Sequence, residues 1–188
     1  YQMDDPADQA RGLLFNRKHT LLDPYAKAVT GQRNWGEKPE GGKDFVYKAR
    51  VVQSDFDWGR YRNLNYKFED LVIYEMHVRG FTKDASSGVK GGGTFEGLRQ
   101  KIPYLKDLGI NAVELMPIFE FDEMESARVV DGVQLYNYWG YNTVSFFAPN
   151  TSYAFHQEHN HEGDELKRLI RELKENGIEV ILDVVFNH

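Results

Sequence analysis

The chain has 188 residues, a formal net charge of −6 and no cysteine. Hydrophobic residues make up 41% of it and charged residues 28%, which is typical of a globular protein rather than a disordered one. The negative charge disfavours nucleic-acid phosphate as the main partner, and no apolar run approaches the roughly 18 residues of a membrane helix. The lack of cysteine excludes disulfides and thiol chemistry and fits a cytoplasmic location.

Residues 1–65 lack long helical periodicity and carry turn signals at Asp23-Pro24 and Gly41-Gly42. The apolar pieces between these turns are too short to build a core of their own. We therefore expect this part of the chain to be a connecting segment that wraps on a larger body.

From residue 71 onwards, apolar runs alternate with segments of helical periodicity. The run at 178–186 predicts a strand buried on both faces, and the runs at 71–78 and 110–117 are further strand candidates. Pro103 should kink or split the first of the two intervening helices. The order of elements predicts two right-handed βαβ crossovers and hence a parallel sheet. We expect an α/β fold that begins a (β/α)8 barrel, which needs about 250 residues, and stops partway round.

Asp183 and the aromatic segment Tyr136–Asn142 are the candidate site features. An ionised Asp inside an apolar run is costly unless it is paired or lies at the wet C-terminal end of its strand, where parallel folds carry their chemistry. A mere cap on the following loop is the alternative. The aromatic segment should lie in a loop above the same end, where its rings could pack on the apolar faces of sugars. A hydrophobic cluster under that loop is the alternative there.

Two polar runs could hold metals but lack the usual ligand spacing. Glu120–Glu125 does not alternate its ligands as a calcium loop does, and His156–Glu162 does not match the helical zinc motif. We expect both runs to be solvated loops.

Four motifs occur in order and at appropriate intervals: I-Y-E-M-H-V-R-G-F-T (73–82), N-A-V-E-L-M-P (111–117), Y-W-G-Y-N (138–142) and D-V-V-F-N-H (183–188). Together they resemble the opening third of the catalytic barrel of the α-amylase superfamily, glycoside hydrolase family 13. F-N-R-K-H-T-L-L-D-P-Y-A-K-A (15–28) and S-D-F-D-W-G (54–59) are similar to isoamylase-type glycogen-debranching enzymes. A pullulanase or a glucan branching enzyme of the same family is the alternative. A non-catalytic glucan-binding fragment is the alternative from a different class.

The resemblance implies that residues 66–188 form the first three β/α units of a (β/α)8 TIM barrel. Residues 1–65 would be the tail of an N-terminal carbohydrate-binding-type β-sandwich and a linker. The implied activity is retaining hydrolysis of α-1,6 branch points in glycogen- or starch-type glucans. Such enzymes use two carboxyl groups about 5–5.5 Å apart. By resemblance, the nucleophile and the acid/base belong to later strands, so no catalytic carboxylate is expected in this chain.

The resemblance also implies a role for four residues. Tyr141 matches a tyrosine that stacks on the glucose at the cleavage point, and His188 matches a histidine that hydrogen-bonds that glucose. Asp183 matches a carboxylate that supports the site by pairing with an arginine on the fourth strand. Asn187 corresponds to a calcium ligand in many amylases, so calcium is possible, but we predict no metal and no cofactor. The implied partners are an α-glucan (glycogen, amylopectin or maltooligosaccharides) and the remaining barrel strands.

Overall fold

The computed structural model describes residues 12, 20–38, 46–53, 55–60, 62–156, 158 and 161–187. His188, one of the two predicted substrate-binding residues, lies outside the described residues. The elements in chain order are β1 (Ile73–Met76), α1 (Val78–Thr82), α2 (Phe95–Arg99), α3 (Ile102–Asp107), β2 (Ala112–Leu115), β3 (Phe119–Phe121), β4 (Arg128–Val130), β5 (Val133–Leu135), β6 (Thr143–Pro149), α4 (His161–Glu175) and β7 (Glu179–Leu182).

The centre of the fold is a parallel sheet with the strand order β1, β2, β7. Glu75 lies opposite Glu114, and Leu115 lies opposite Leu182 in the register of this sheet. The predicted parallel arrangement of the three strands is therefore confirmed. Each strand is shorter than the apolar run that predicted it, and on β1 this is because His77 already caps the helix that follows.

The helices between the strands follow the predicted pattern. The first segment is split into α2 and α3, and Pro103 lies in the first turn of α3, where a missing N–H costs no helical hydrogen bond. Thr94 caps α2 by accepting a hydrogen bond from the N–H of Gly97. The second segment forms α4, and Gly177 follows it with φ +79°, a left-handed conformation that suits glycine at a helix end.

The hydrophobic core lies between the sheet and helices α2, α3 and α4. Its fully buried aliphatic members include Leu98, Leu105, Val113, Leu115, Leu169 and Leu173. Complete burial of one such side chain contributes about 1.5–3 kcal/mol, so this layer fixes the sheet against the helices. Because successive side chains of a strand point to opposite faces, Glu75, Glu114 and Asp183 belong to the other face of the sheet.

The segment between β2 and α4, expected to be a long loop, contains strands as well. Strands β3 and β6 pair antiparallel, and β4 and β5 form a hairpin. Asp131 and Gly132 at the hairpin tip have φ values of 51° and 80°, as a two-residue type I′ turn requires. This insertion places the Tyr136–Asn142 segment between β5 and β6.

The part of the chain before residue 66 contacts the body at several points. An antiparallel bridge joins Val29 to Ala49, and Val29 packs with Ala26 against Ala148 of β6. Trp35 packs on the main core. These contacts agree with a segment wrapped on a larger body, whereas its origin in a β-sandwich domain stays a prediction.

Candidate functional site

Tyr141 and Asp183 are brought together at the carboxyl end of the parallel sheet. The Tyr141 hydroxyl donates a hydrogen bond to Asp183 Oδ2 over 2.5 Å. Asp183 follows β7 directly, and its N–H donates to the carbonyl of Leu115 at 3.0 Å, which extends the sheet by one residue. The carboxylate is thus both paired and at the strand end, the two conditions under which a charge there is tolerated.

The Tyr141 hydroxyl lies in a negatively charged environment. The hydrogen bond to Asp183 raises the pKa of Tyr141 to about 12, and burial and the charges of Glu75 and Glu114 act in the same direction. The phenol therefore keeps its proton at neutral pH and remains the donor. Because Glu75 and Glu114 are neighbours in register on β1 and β2, this face of the sheet carries a concentrated negative charge. The arginine partner that the resemblance implies for Asp183 stays a prediction.

The other predicted site residues lie at the end of the chain. Asn187 is exposed and comes four residues after Asp183. Phe186, 67% exposed, packs against Phe146 of β6 with ring centroids 5.6 Å apart. The supporting role expected of Asn187 and the sugar contact expected of His188 stay predictions.

His77 is a residue near the site that the sequence analysis missed. It follows β1 and lies against the aromatic segment: its ring stacks on the Tyr138 ring with centroids 4.0 Å apart and planes at 8°. Its Nε2 lies 2.7 Å from the Tyr138 carbonyl oxygen. Its position in the sequence was a usable signal. A polar residue directly after a strand of a parallel sheet lies at the carboxyl end of that strand, where such folds bind ligands.

The surroundings of His77 favour the neutral form of its ring. Burial lowers the pKa of His77, and the nearby charge of Arg79 lowers it further, while the hydrogen bond to Tyr138 opposes them. The Arg79 guanidinium lies over the ring of Trp35 at 4.6 Å, and Trp35 stacks at 5° on the buried ring of Tyr153. Tyr138 thus belongs to a hydrophobic aromatic cluster, which was the alternative for the Tyr136–Asn142 segment, whereas the packing of its rings on sugars stays a prediction.

The expectation that Glu120–Glu125 is a solvated loop is wrong for two of its acids. Glu120 and Glu123 are each only 1% exposed. Glu120 lies in β3, which pairs with β6, and Glu123 follows just after the end of β3. Burial raises the pKa of Glu120 to about 8, although Thr151 donates its N–H to Glu120 at 2.6 Å. Burial also raises the pKa of Glu123 to about 7, with the Ser152 hydroxyl donating at 2.5 Å.

The described residues contain no group of three or more His, Asp or Glu side chains arranged to hold a metal ion. His156 Nδ1 instead lies 2.9 Å from Glu165, which is 5% exposed and also accepts the N–H of Phe155. Positions 157, 159 and 160 of the His-rich run lie outside the described residues.

These features define an α/β protein with a candidate site above the carboxyl ends of its parallel strands, where a tyrosine and a carboxylate are hydrogen-bonded. The chain belongs to the α-amylase family: the family described as "Alpha amylase, catalytic domain" matches residues 45–188. The predicted membership of the α-amylase superfamily is thus confirmed.

Isoamylase-type proteins are among its relatives. Isoamylase 3, chloroplastic, of Oryza sativa subsp. japonica is 45% identical over 193 residues, which take in 100% of this chain and 25% of that protein. The glycogen operon protein GlgX homolog of Mycobacterium tuberculosis (strain ATCC 25618 / H37Rv) is 36% identical over 207 residues, 100% of this chain and 28% of its own length. The chain thus spans about a quarter of the length of these curated relatives.

Solved pullulanase structures share the fold. The crystal structure of pullulanase type I from Bacillus subtilis str. 168 complexed with maltose has a TM-score of 0.70 and 29% identity, over 93% of this chain and 24% of that one. Pullulanase from Anoxybacillus sp. LM18-11, complexed with maltotetraose, has a TM-score of 0.61 and 31% identity, over 89% of this chain and 24% of that one. Within the part of the present chain that the structure describes, no helix is long and apolar enough to cross a membrane.

Proposed function

We propose that this chain supplies part of the sugar-binding site of a glycoside hydrolase that cleaves α-1,6 branch points of glycogen- or starch-type glucans with retention. The observation that carries the proposal is the hydrogen bond from Tyr141 to Asp183 at the carboxyl end of the parallel sheet. The relatives named isoamylase and glycogen operon protein support the choice of reaction.

In this proposal the chain binds and orients the glucose whose bond is cleaved. The Tyr141 ring offers a face to the apolar C–H groups of the sugar, and the Asp183 carboxylate fixes the direction of its hydroxyl. His188 would add a hydrogen bond from the end of the same segment. The bond is cleaved through an oxocarbenium-like transition state, which the negative charge of Asp183 and its neighbours would favour electrostatically.

The nucleophile and the acid/base would come from the remaining strands of the barrel. We propose that β1, β2 and β7 are the first three strands of a (β/α)8 barrel and that residues 66–188 belong to it. Residues 1–65 would then link the barrel to an N-terminal β-sandwich. A cytoplasmic location remains part of the proposal, whereas the rice relative is named chloroplastic.

A pullulanase is the second candidate, because pullulanase structures match nearly the whole chain. The full-length enzyme decides between the two when it is given glycogen, amylopectin and pullulan in parallel. An isoamylase-type enzyme should release linear chains from glycogen and leave pullulan almost intact, whereas a pullulanase should cleave pullulan readily. New branches without new reducing ends would instead indicate a branching enzyme. No action on any of these glucans, with weak, about millimolar maltooligosaccharide binding, would leave only the glucan-binding alternative.

A further inference from the structure

We infer that His77 is a positioning residue, which holds the loop that carries Tyr141 where the hydrogen bond to Asp183 can form. The inference rests on the proposed function, because Tyr141 matters for turnover only if a sugar binds above β7. His77 acts on Tyr138, three residues before Tyr141 in the same loop, and its ring also meets the ring of Trp139 edge to face.

His77 and α1 hold Tyr138 on its ring and on its backbone. The two rings stack at 4.0 Å, and His77 Nε2 lies 2.7 Å from the Tyr138 carbonyl oxygen. The far end of the ring rests on α1, because a Cβ added to Gly80 would lie 2.3 Å from the Tyr138 hydroxyl. Tyr138 therefore has little freedom to shift relative to β1.

The hydrogen bonds of His77 assign its two ring nitrogens different tasks. The N–H of Gly80 donates to Nδ1 at 3.1 Å, so the proton of the neutral ring is on Nε2. Nε2–H then donates to the carbonyl of Tyr138, and the hydroxyl oxygen of Tyr153 lies 3.3 Å from the same nitrogen. Nδ1 caps α1, whereas Nε2 restrains the loop.

The path from Tyr138 to Tyr141 is short and tightly packed. Trp139 makes an edge-to-face contact with Tyr138 at 5.3 Å. Gly140 has φ +84°, and a Cβ there would lie 2.5 Å from the Phe121 ring. A displaced Tyr138 therefore displaces Tyr141, and a misplacement of about 1 Å can cost about 100-fold in rate.

The two tasks can be separated by substitution in the full-length debranching enzyme. Gln places a side-chain N–H near the position of Nε2 but does not reproduce the Nδ1 acceptor, whereas Asn keeps an acceptor for the N–H of Gly80 and loses the reach to Tyr138. His77→Ala should lower kcat on amylopectin by about 10- to 100-fold. His77→Gln should restore kcat to within about threefold of wild type, and His77→Asn should not, while KM changes less than kcat.

A double-mutant cycle with Tyr141→Ala tests the route through the loop. If His77 acts through Tyr141, His77→Ala should lower kcat by less than about twofold once Tyr141 is absent, since coupled residues are not additive. Thr94→Val is the matched control, because it removes the cap of α2 away from the loop. It should lower the melting temperature and leave kcat unchanged.

Rescue of kcat by His77→Asn, or equal losses for His77→Gln and His77→Ala, would assign the residue to the helix cap and overturn the inference. Full additivity in the cycle would overturn it too. Calorimetric affinity for maltotetraose, measured on the same variants, gives a readout that does not need debranching. If the wild-type enzyme binds maltotetraose but does not debranch, the proposed function fails. The role of His77 is then still decided by whether His77→Gln, and not His77→Asn, restores the affinity that His77→Ala loses.

Discussion

Tyr141 and Asp183 are 42 residues apart in the chain, and a hydrogen bond of 2.5 Å joins them at the end of the parallel sheet. The bond connects the inserted loop, whose course is set by packing, to a strand end, whose place is set by the sheet. A sugar-stacking ring needs such a connection, because a loop residue alone would lose affinity to conformational entropy.

The first prediction concerns the ring and the hydroxyl of Tyr141 separately. Tyr141→Phe keeps the stacking face and loses only the hydrogen bond to Asp183, so kcat/KM on glycogen should fall about tenfold, which corresponds to a charged hydrogen bond of about 1.5 kcal/mol. Tyr141→Ala also removes the face and should cost about 100-fold or more. Steady-state kinetics of the full-length enzyme measure both. Unchanged kinetics for Tyr141→Ala would contradict the stacking role.

A second prediction follows from the acidic surroundings of Tyr141. Asp183 is the largest cause of its raised pKa, so Asp183→Asn should move the pKa of Tyr141 down from about 12 towards 10. NMR of the enzyme labelled with 13C-tyrosine can follow this titration, with Tyr141→Phe used to assign the signal. Glu69→Gln, at an exposed acid before β1, should leave the signal in place. A tyrosine that titrates alike in wild type and Asp183→Asn would contradict the hydrogen bond.

Gly140 provides a third prediction, about the turn that precedes Tyr141. Ala at φ +84° costs about 1–2 kcal/mol in backbone strain, and its Cβ would press on Phe121, so Gly140→Ala should reduce both stability and turnover. Gly132→Ala is the control: its φ is +80°, but a Cβ there meets nothing within 4 Å. It should lower the melting temperature without changing kcat. Equal losses of turnover in the two variants would show that packing against Phe121 does not position Tyr141.

The parallel sheet could be predicted from the sequence, because the signals for its strands and helices lie within short stretches of the chain. The apolar runs, Pro103 and the glycine after α4 each act through neighbouring residues, and strands and helices formed where the periodicity changed. The bond between Tyr141 and Asp183 was not among the expectations, because the resemblance implies separate roles for the two residues and an arginine as the partner of Asp183.

The sequence could not predict contacts that depend on distant partners. In the sequence, Glu120 and Glu123 are two acids in an acidic run. They are buried only because β6 and the turn after it bring Thr151 and Ser152 into contact with them. Strands of three residues such as β3 are too short for periodicity to show. The contact of His77 with Tyr138 is of the same kind, since Tyr138 lies 61 residues further along the chain, although the position of His77 directly after β1 was a usable signal.

The last prediction is that Glu120 makes stability depend on pH. Its pKa is raised from 4.5 to about 8 in the folded protein, so the native state binds more protons than the unfolded state between these values. The free energy of unfolding that Glu120 contributes is therefore fully present below about pH 4.5 and is lost as pH rises towards 8. Glu120→Gln keeps the shape without the charge. The difference in the free energy of unfolding between Glu120→Gln and wild type should therefore shift by about 1–3 kcal/mol in favour of the variant from pH 5 to pH 8.5. This is the typical cost of one buried polar group without compensation.

Urea unfolding of the full-length enzyme at these two pH values measures the difference between Glu120→Gln and wild type. Glu69→Gln is again the matched control, because Glu69 is exposed and its replacement should leave the pH dependence unchanged. Glu123, with a pKa raised to about 7, should act in the same direction over a narrower range. His77 acts in the opposite sense, because its pKa is lowered and its contribution is lost as pH falls below 6.5. A gain for Glu120→Gln that is the same at both pH values would mean that Glu120 is ionised in the folded protein throughout this range.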